Sequence, residues 1–386
     1  MPVETVTVHT RALAKNAVWI EVSLDRIQKN LEKIQQKIKP YTRVMAVVKA
    51  NAYGHGLVPV AQALAGKVDF LGIGSLKEAS QLREQGVTTP LFLFGRLFKD
   101  EIPIALQMRL TLTVSSYEEA KAIAEVNGGH FHSRRKKIPI HIKVDTGMGR
   151  LGIPLSHAFS EIVRIALLPN LQLEGIYTHF PTAESYPDPF TVEQLANFEK
   201  LIEDLRRKKI SFVYRHAANS AGAVRFNSTY LNLVRPGIAL YGIYPHSSLV
   251  PEIHLEPAMM LKSRIAFTKR ISAGDSVGYG REYVASCATS IGIVPVGYAH
   301  GYPFHLSGKG EILNKGKRVK LAGRVCMDSL MVDLGHTEAH PGDEVVLLGA
   351  SGDESISAEE MAYSAGTIPY EIVTRLDAGI SRLYHS

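Results

Sequence analysis

Val44-Met45-Ala46-Val47-Val48-Lys49-Ala50-Asn51-Ala52-Tyr53-Gly54-His55-Gly56 is the stretch on which the reading of this chain turns. Five apolar residues in a row, without polar alternation, predict a strand buried on both faces, as in a parallel sheet covered by helices. Lys49 ends the run, so its amine sits at the C-terminal end of the strand, where barrel active sites are built. A lysine leaving an apolar strand for a partly desolvated site should have a lowered pKa and act as nucleophile or base. A lysine that merely marks the strand's end would look the same by position alone. Tyr53 and the two glycines that follow favour the first reading, because an aromatic and close backbone approach suit a flat ring and a phosphate.

Outward from this strand, seven more candidates follow: Phe70 to Ile73, Leu91 to Phe94, Leu110 to Val114, Pro139 to Val144, Leu173 to Thr178, Phe212 to His216 and Leu231 to Arg235. Helical patterns lie between them. One carries Leu24, Ile27, Leu31, Ile34 and Ile38 on one face and stops at Pro40; another carries Val192, Leu195, Phe198, Leu201, Ile202 and Leu205. Eight strand-helix units predict an α/β fold with an N-terminal (β/α)8 TIM barrel. An open doubly wound sheet is the alternative, since periodicity does not reveal closure. From Glu256 the texture changes to short strands, Ser290 to Val296, Arg318 to Leu321, Leu330 to Leu334 and Glu344 to Leu348, with a capping pair at Ser357 and Glu360 ahead of a helix. The expected division is a barrel over 17–255 and a mainly β C-terminal domain over 256–386, taken together with 1–16.

With 386 residues, 45% of them hydrophobic and 21% charged, the chain can bury large cores. No run of eighteen apolar residues occurs, and the first twenty residues lack the basic start and apolar core of an export signal, so the expectation is a cytoplasmic protein that engages no membrane. Cys287 and Cys326 allow at most one disulfide and are expected to be reduced. The net charge of +7 raises the question of nucleic acid. Its one dense basic run, Ser133 to Lys137, has no aromatic platform or DNA-reading motif beside it and reads as a solvated loop, so no nucleic-acid partner is expected. A small anionic molecule suits the excess better.

Val48 to Gly56 resembles the cofactor-attachment signature of the alanine racemase family. Four more segments resemble that family in the same order: Lys143 to Gly152, Thr178-His179-Phe180, His216 to Ala221 and Val234 to Ala239. The resemblance runs from about Val18 to Leu383. It implies pyridoxal 5'-phosphate carried on Lys49, with Tyr53, His179, Asn219, Ser220, Arg235, Gly237, Ile238 and Tyr370 around the cofactor, and no metal. It also implies that Arg150 meets the substrate carboxylate, where a planar fork binds two oxygens at once. Lys143 resembles a lysine often carbamylated in the family, an anion that would orient Arg150. Arg235 stands where most pyridoxal enzymes place a carboxylate; an arginine there favours an unprotonated ring nitrogen and a weaker electron sink, which suits racemisation over transamination. Taken singly, Arg150 reads as a surface ion pair, Arg235 as an end-of-strand charge, and Asn-Ser and Pro-Gly as turns.

The C-terminal domain contributes Ser276 to Gly280, resembling the segment of the tyrosine base, Tyr279. Gly323 to Asp328, with Met327, resembles the strand lining the substrate pocket, and Ile368 to Glu371 the segment of Tyr370. Racemisation removes a proton from one face and returns it to the other, so two bases are economical. The resemblance gives Lys49 the D and Tyr279 the L enantiomer of alanine. A phenol titrates near ~10, so a tyrosine base calls for a positive setting, expected from His179 and Arg235. In the family the tyrosine comes from the partner subunit, which implies a homodimer with shared sites making D-alanine for peptidoglycan. Two departures stand out: His300 where aspartate is usual, and Pro181 where alanine is commoner. A serine or broad-specificity racemase, a non-catalytic pyridoxal-phosphate carrier and a related decarboxylase are the competing readings. Tyr279 and Cys326-Met327-Asp328 argue against the carrier, and no large-substrate segment supports the decarboxylase.

Overall fold

A computed structural model describes residues 17–126, 137–185 and 189–385. The segment 1–16 and the basic residues Arg134, Arg135 and Lys136 lie outside the described residues. The described residues form two compact units, one within Leu24–Pro257 and a second that joins 258–385 to 17–23.

In the first unit, the opening strand Arg43–Val47 is buried everywhere except at its first residue. It is followed in space by Phe70–Ile73, Leu91–Leu93, Thr111–Val114, Ile138–Asp145, Leu171–Tyr177 and Tyr214–His216, all parallel, while Leu233–Val234 pairs back onto Arg43 and Val44. The remaining seam is bridged by two backbone hydrogen bonds, Asn232 N–H to Arg215 O at 3.3 Å and Arg235 N–H to Ala218 O at 2.9 Å. The sheet is therefore a nearly closed eight-stranded barrel and not an open one. Its interior packs Met45, Phe70, Phe92, Tyr177 and Leu233.

Helices cover the outside as their periodicity predicts: Leu24–Lys37 buries Ile27, Leu31 and Ile34. The helix Pro189–Arg207 buries Leu195, Phe198, Leu201 and Leu205 but leaves Val192 exposed, so the apolar stripe is narrower at its start than the sequence suggests. No helix among the described residues is long and apolar enough to cross a membrane.

The second unit is a ten-stranded sheet. It moves the first predicted boundary: Val18–Ser23, assigned to the barrel from sequence, pairs antiparallel with Met259–Arg264 and parallel with Ser381–His385. An isolated apolar run carries no record of its partners, and this one finds them at the far end of the chain. Ser357 caps the helix Ala358–Ala365 by accepting from Glu360 N–H at 3.1 Å. Cys287 and Cys326 are free thiols.

Candidate active site

Immediately after the opening strand, the backbone turns left-handed. Ala50, Asn51, Ala52 and Tyr53 have φ of 54°, 54°, 53° and 53°, and Gly54 completes the turn at 83°. Each L-residue in that region costs roughly 1–2 kcal/mol, so something must hold it. Glu78 does so from the helix Leu76–Glu84, beyond the second barrel strand, its carboxylate accepting from Ala50 N–H and Gly74 N–H, both at 2.7 Å. Asn51 Oδ1 accepts from Leu57 N–H at 2.8 Å and closes the other side. The reversal buries Tyr53 against Tyr241, ring centroids 5.1 Å apart, while Tyr241 donates to Val47 O at 3.0 Å. Lys49 is left at the mouth with its ammonium 5.8 Å from the Phe94 ring centroid. Burial lowers its pKa, and Arg150 and Arg235 lower it further against the opposing pull of Glu78.

Other cations gather nearby. Lys143 is buried at the end of Ile138–Asp145, and its pKa falls to about 8, first through burial and then through Arg150 and Arg235. Asp145 offers it little relief, because its carboxylate is occupied by the N–H groups of Gly147, Met148 and Gly149 at 2.8 to 3.1 Å. Those bonds shape the loop that presents Arg150, which is exposed and has no hydrogen-bond or ion-pair partner among the described residues. His179 departs from expectation. Burial, then Arg235 and Arg150, push its pKa well below the ordinary value, so it is neutral, and its Nδ1 faces Arg235 Nη2 at 3.3 Å. The positive character of the mouth comes from Lys49, Lys143, Arg150 and Arg235 instead.

Arg235 is only 3% exposed. Its Nη2 donates to Thr178 O at 2.8 Å and Ala217 O at 2.9 Å, its Nη1 to His216 Nδ1 at 2.9 Å, and its Cζ lies 5.3 Å from the Tyr177 ring centroid. Beside it, Ser220 Oγ accepts from Gly237 N–H at 2.9 Å and Ala239 N–H at 3.3 Å, gathering two chain segments into one cradle. Asn219 caps the following turn by accepting from Gly222 N–H at 3.0 Å. Glycine is required at 237, since a Cβ there would stand 2.5 Å from Tyr53 Oη. Ile238 is buried and opens the short 3-10 turn to Tyr241. Four cations, a hydroxyl set among backbone N–H groups and a buried aromatic form a site suited to a planar, multiply anionic ligand.

The remaining predicted residues belong to the second unit. Tyr279 is 72% exposed on a short turn entered through Gly278 at φ 74°, and Met327 is 59% exposed. Tyr370 is half-buried in the helix Pro369–Thr374. His300 closes its own short turn, its Nδ1 accepting from Gly297 N–H at 3.1 Å. Among the described residues no cluster of His, Cys, Asp or Glu could hold a metal ion.

The sequence reading passed over Glu78, which pins the turn, and His141 and Glu174, which lie behind Arg235. A signal for His141 existed. In Pro139-Ile140-His141-Ile142-Lys143-Val144-Asp145 the polar residues recur at every second position of an apolar strand, which places His141, Lys143 and Asp145 on one face.

Comparison with known proteins gives one family throughout. Residues 22–245 match the family model "Alanine racemase, N-terminal domain" and residues 258–384 match "Alanine racemase, C-terminal domain". An alanine racemase of Desulforamulus reducens is 42% identical over 374 residues, covering 96% of this chain and 99% of that protein. One of Methanococcus maripaludis is 38% identical over 376 residues, covering 96% of this chain and all of the relative (100%). The crystal structure of the Bacillus anthracis alanine racemase with bound L-Ala-P superposes with a TM-score of 0.89 at 36% identity, over 96% of this chain and 95% of that one.

Proposed function

The chain belongs to the alanine racemase family, isomerases that interconvert L- and D-alanine, and from that premise we propose that it does so with pyridoxal phosphate carried on Lys49. The observation that carries this reading is the cation-rich mouth around a lysine of lowered pKa, with a glycine cradle that a Cβ would fill. Pyridoxal phosphate, when bound, supplies an electron-accepting ring that makes the α-proton of an amino acid labile. Ser220, Gly237 and Ile238 would hold its phosphate together with Asn219, Tyr53 and Tyr370, and Arg235 and His179 would border its ring. Arg150 binds the alanine carboxylate through both of its terminal nitrogens. Lys49 Nζ exchanges the proton of the D enantiomer, and Oη of the partner subunit's Tyr279 that of the L enantiomer. The exposed Tyr279 and Met327 suit a role in a second copy's site, so the working form is a homodimer, placed in the cytoplasm and supplying D-alanine for peptidoglycan.

Lys143 supports a further part of this reading. Its pKa near 8 leaves a share of neutral amine at neutral pH, able to add to carbon dioxide with loss of a proton. The resulting carbamate would place an anion among Lys49, Arg150 and Arg235 and orient Arg150 toward substrate.

The test is absorbance before and after borohydride, with α-deuterium uptake from D2O into each enantiomer of alanine. Wild type should show a borohydride-sensitive band that Lys49→Ala lacks, with racemisation reduced by at least about 10³-fold in that variant. Tyr279→Phe should keep the band and lose exchange chiefly from L-alanine. A bound chromophore without exchange on alanine or serine overturns the reading in favour of a carrier.

A further inference from the structure

No carboxylate pairs directly with Arg235 among the described residues, although a buried, uncompensated charge is strongly unfavourable. A line of nitrogen atoms leads away from it. Arg235 Nη1 donates to His216 Nδ1 at 2.9 Å, His216 Nε2 lies 2.8 Å from His141 Nδ1, and His141 Nε2 lies 3.2 Å from Glu174 Oε2. Both histidines are fully buried, and Glu174, which also accepts from Thr111 Oγ1 at 3.4 Å, has a side chain 19% exposed.

The proton positions along this line follow from the inventory of donors. Arginine only donates, so His216 Nδ1 must accept and its proton must lie on Nε2. That proton points at His141 Nδ1, so the proton of His141 lies on its own Nε2, facing the carboxylate. The same order follows when it is worked out from Glu174, since a carboxylate only accepts. Two neutral imidazoles thus stand head to tail between a cation and an anion, and burial, which lowers both histidine pKa values, keeps them neutral. The rings are also fixed in place. His216 is stacked on Tyr177 at 4.7 Å and 4°, Phe92 lies 4.9 Å from His141, and a Cβ on Gly175 would stand 2.6 Å from His141 Cγ.

We propose that Glu174, acting through His141 and His216, is the remote counter-ion of Arg235 and a positioning residue that aims its guanidinium into the barrel mouth. Its consequence for racemisation rests on the reading of Arg235 as a neighbour of the cofactor ring; the relay itself needs no cofactor.

The experiment is ¹⁵N NMR of histidine-labelled protein, cofactor-free and cofactor-loaded, for wild type, Glu174→Gln and Glu174→Leu, alongside alanine kinetics. Wild type should show both histidines as Nε2–H tautomers. Glu174→Gln keeps an acceptor and should keep the tautomers while moving the His216 Nδ1 resonance, with a smaller loss of rate. Glu174→Leu should mix the tautomers, shift the absorbance of the loaded enzyme and lower kcat about tenfold with KM changed by less than about twofold. His216 resonances and kcat that match wild type in Glu174→Leu overturn the proposal. If that variant does not fold, an unmoved His216 resonance in Glu174→Gln overturns it equally. Absence of a borohydride-sensitive band in wild type would sink the cofactor reading alone, because the tautomers are read in cofactor-free protein.

Discussion

The barrel mouth and the second unit handle charge in opposite ways. At the mouth, Arg150 and Arg235 lie close enough to Lys49 and Lys143 to lower the pKa values of both lysines, and the carboxylates of Glu78 and Asp145 are occupied by backbone N–H groups. In the second unit, Arg318 meets Glu311 at 2.9 Å, Glu354 at 2.9 Å and Glu360 at 2.5 Å, and Lys262 meets Glu21 and Glu344 at 3.1 and 3.0 Å. The cations of one region meet carboxylates directly, whereas those of the other face carboxylates already taken up by the backbone. The difference separates a scaffold from a site, because repulsion tolerated in the folded chain is relieved by whatever anion binds there.

Four substitutions would break or sharpen that contrast. The largest effect is expected of Arg235→Leu, which orphans Thr178 O, Ala217 O and His216 Nδ1 and should lower stability by about 4 kcal/mol in denaturant titration. A neutral result would mean the guanidinium is held by nothing but packing.

Lys143→Met should act in the other direction, raising stability of the cofactor-free, uncarbamylated protein by about 3 kcal/mol at pH 7. The sign follows from proton counts. With a folded pKa near 8 against 10.5 unfolded, the unfolded chain binds more protons between those values, so wild-type stability rises with pH there. The advantage of the variant should accordingly shrink from pH 8 and vanish above pH 10.5. A pH-independent difference would remove the case that the mouth is charge-frustrated.

Arg318→Met, in the second unit, should lower stability by only about 1 kcal/mol, an effect reduced by added salt because the network is partly open to solvent. Smallest is Ala50→Gly, which should raise stability by somewhat under about 1 kcal/mol by relieving a left-handed φ of 54°, measured by thermal unfolding. A loss of stability there would show that the left-handed turn is not strained.

Legibility in the sequence followed the range of the interactions concerned. Strand positions such as Phe70 to Ile73 and the Ser357 cap were readable because apolar runs and capping pairs act over a few residues. The role of Val18–Ser23 was not, since its partners lie some 240 and 360 residues away and nothing in an apolar hexapeptide names them. The neutral state of His179 was equally hidden, because it depends on burial and on cations from other strands.

By itself the sequence determined the alternation of strands and helices, the change of texture near Glu256 and the lysine that ends the first strand, all properties of local pattern. The tertiary structure alone decided that the sheet closes through Leu233–Val234 onto Arg43 and Val44, that Ala50 to Gly54 folds as a left-handed turn pinned by Glu78, and that Arg235 is tied to Glu174 through two imidazoles. The reason is physical: closure, strain and buried charge are set by groups distant in sequence that only meet in the packed fold, where low polarity makes their mutual placement decisive.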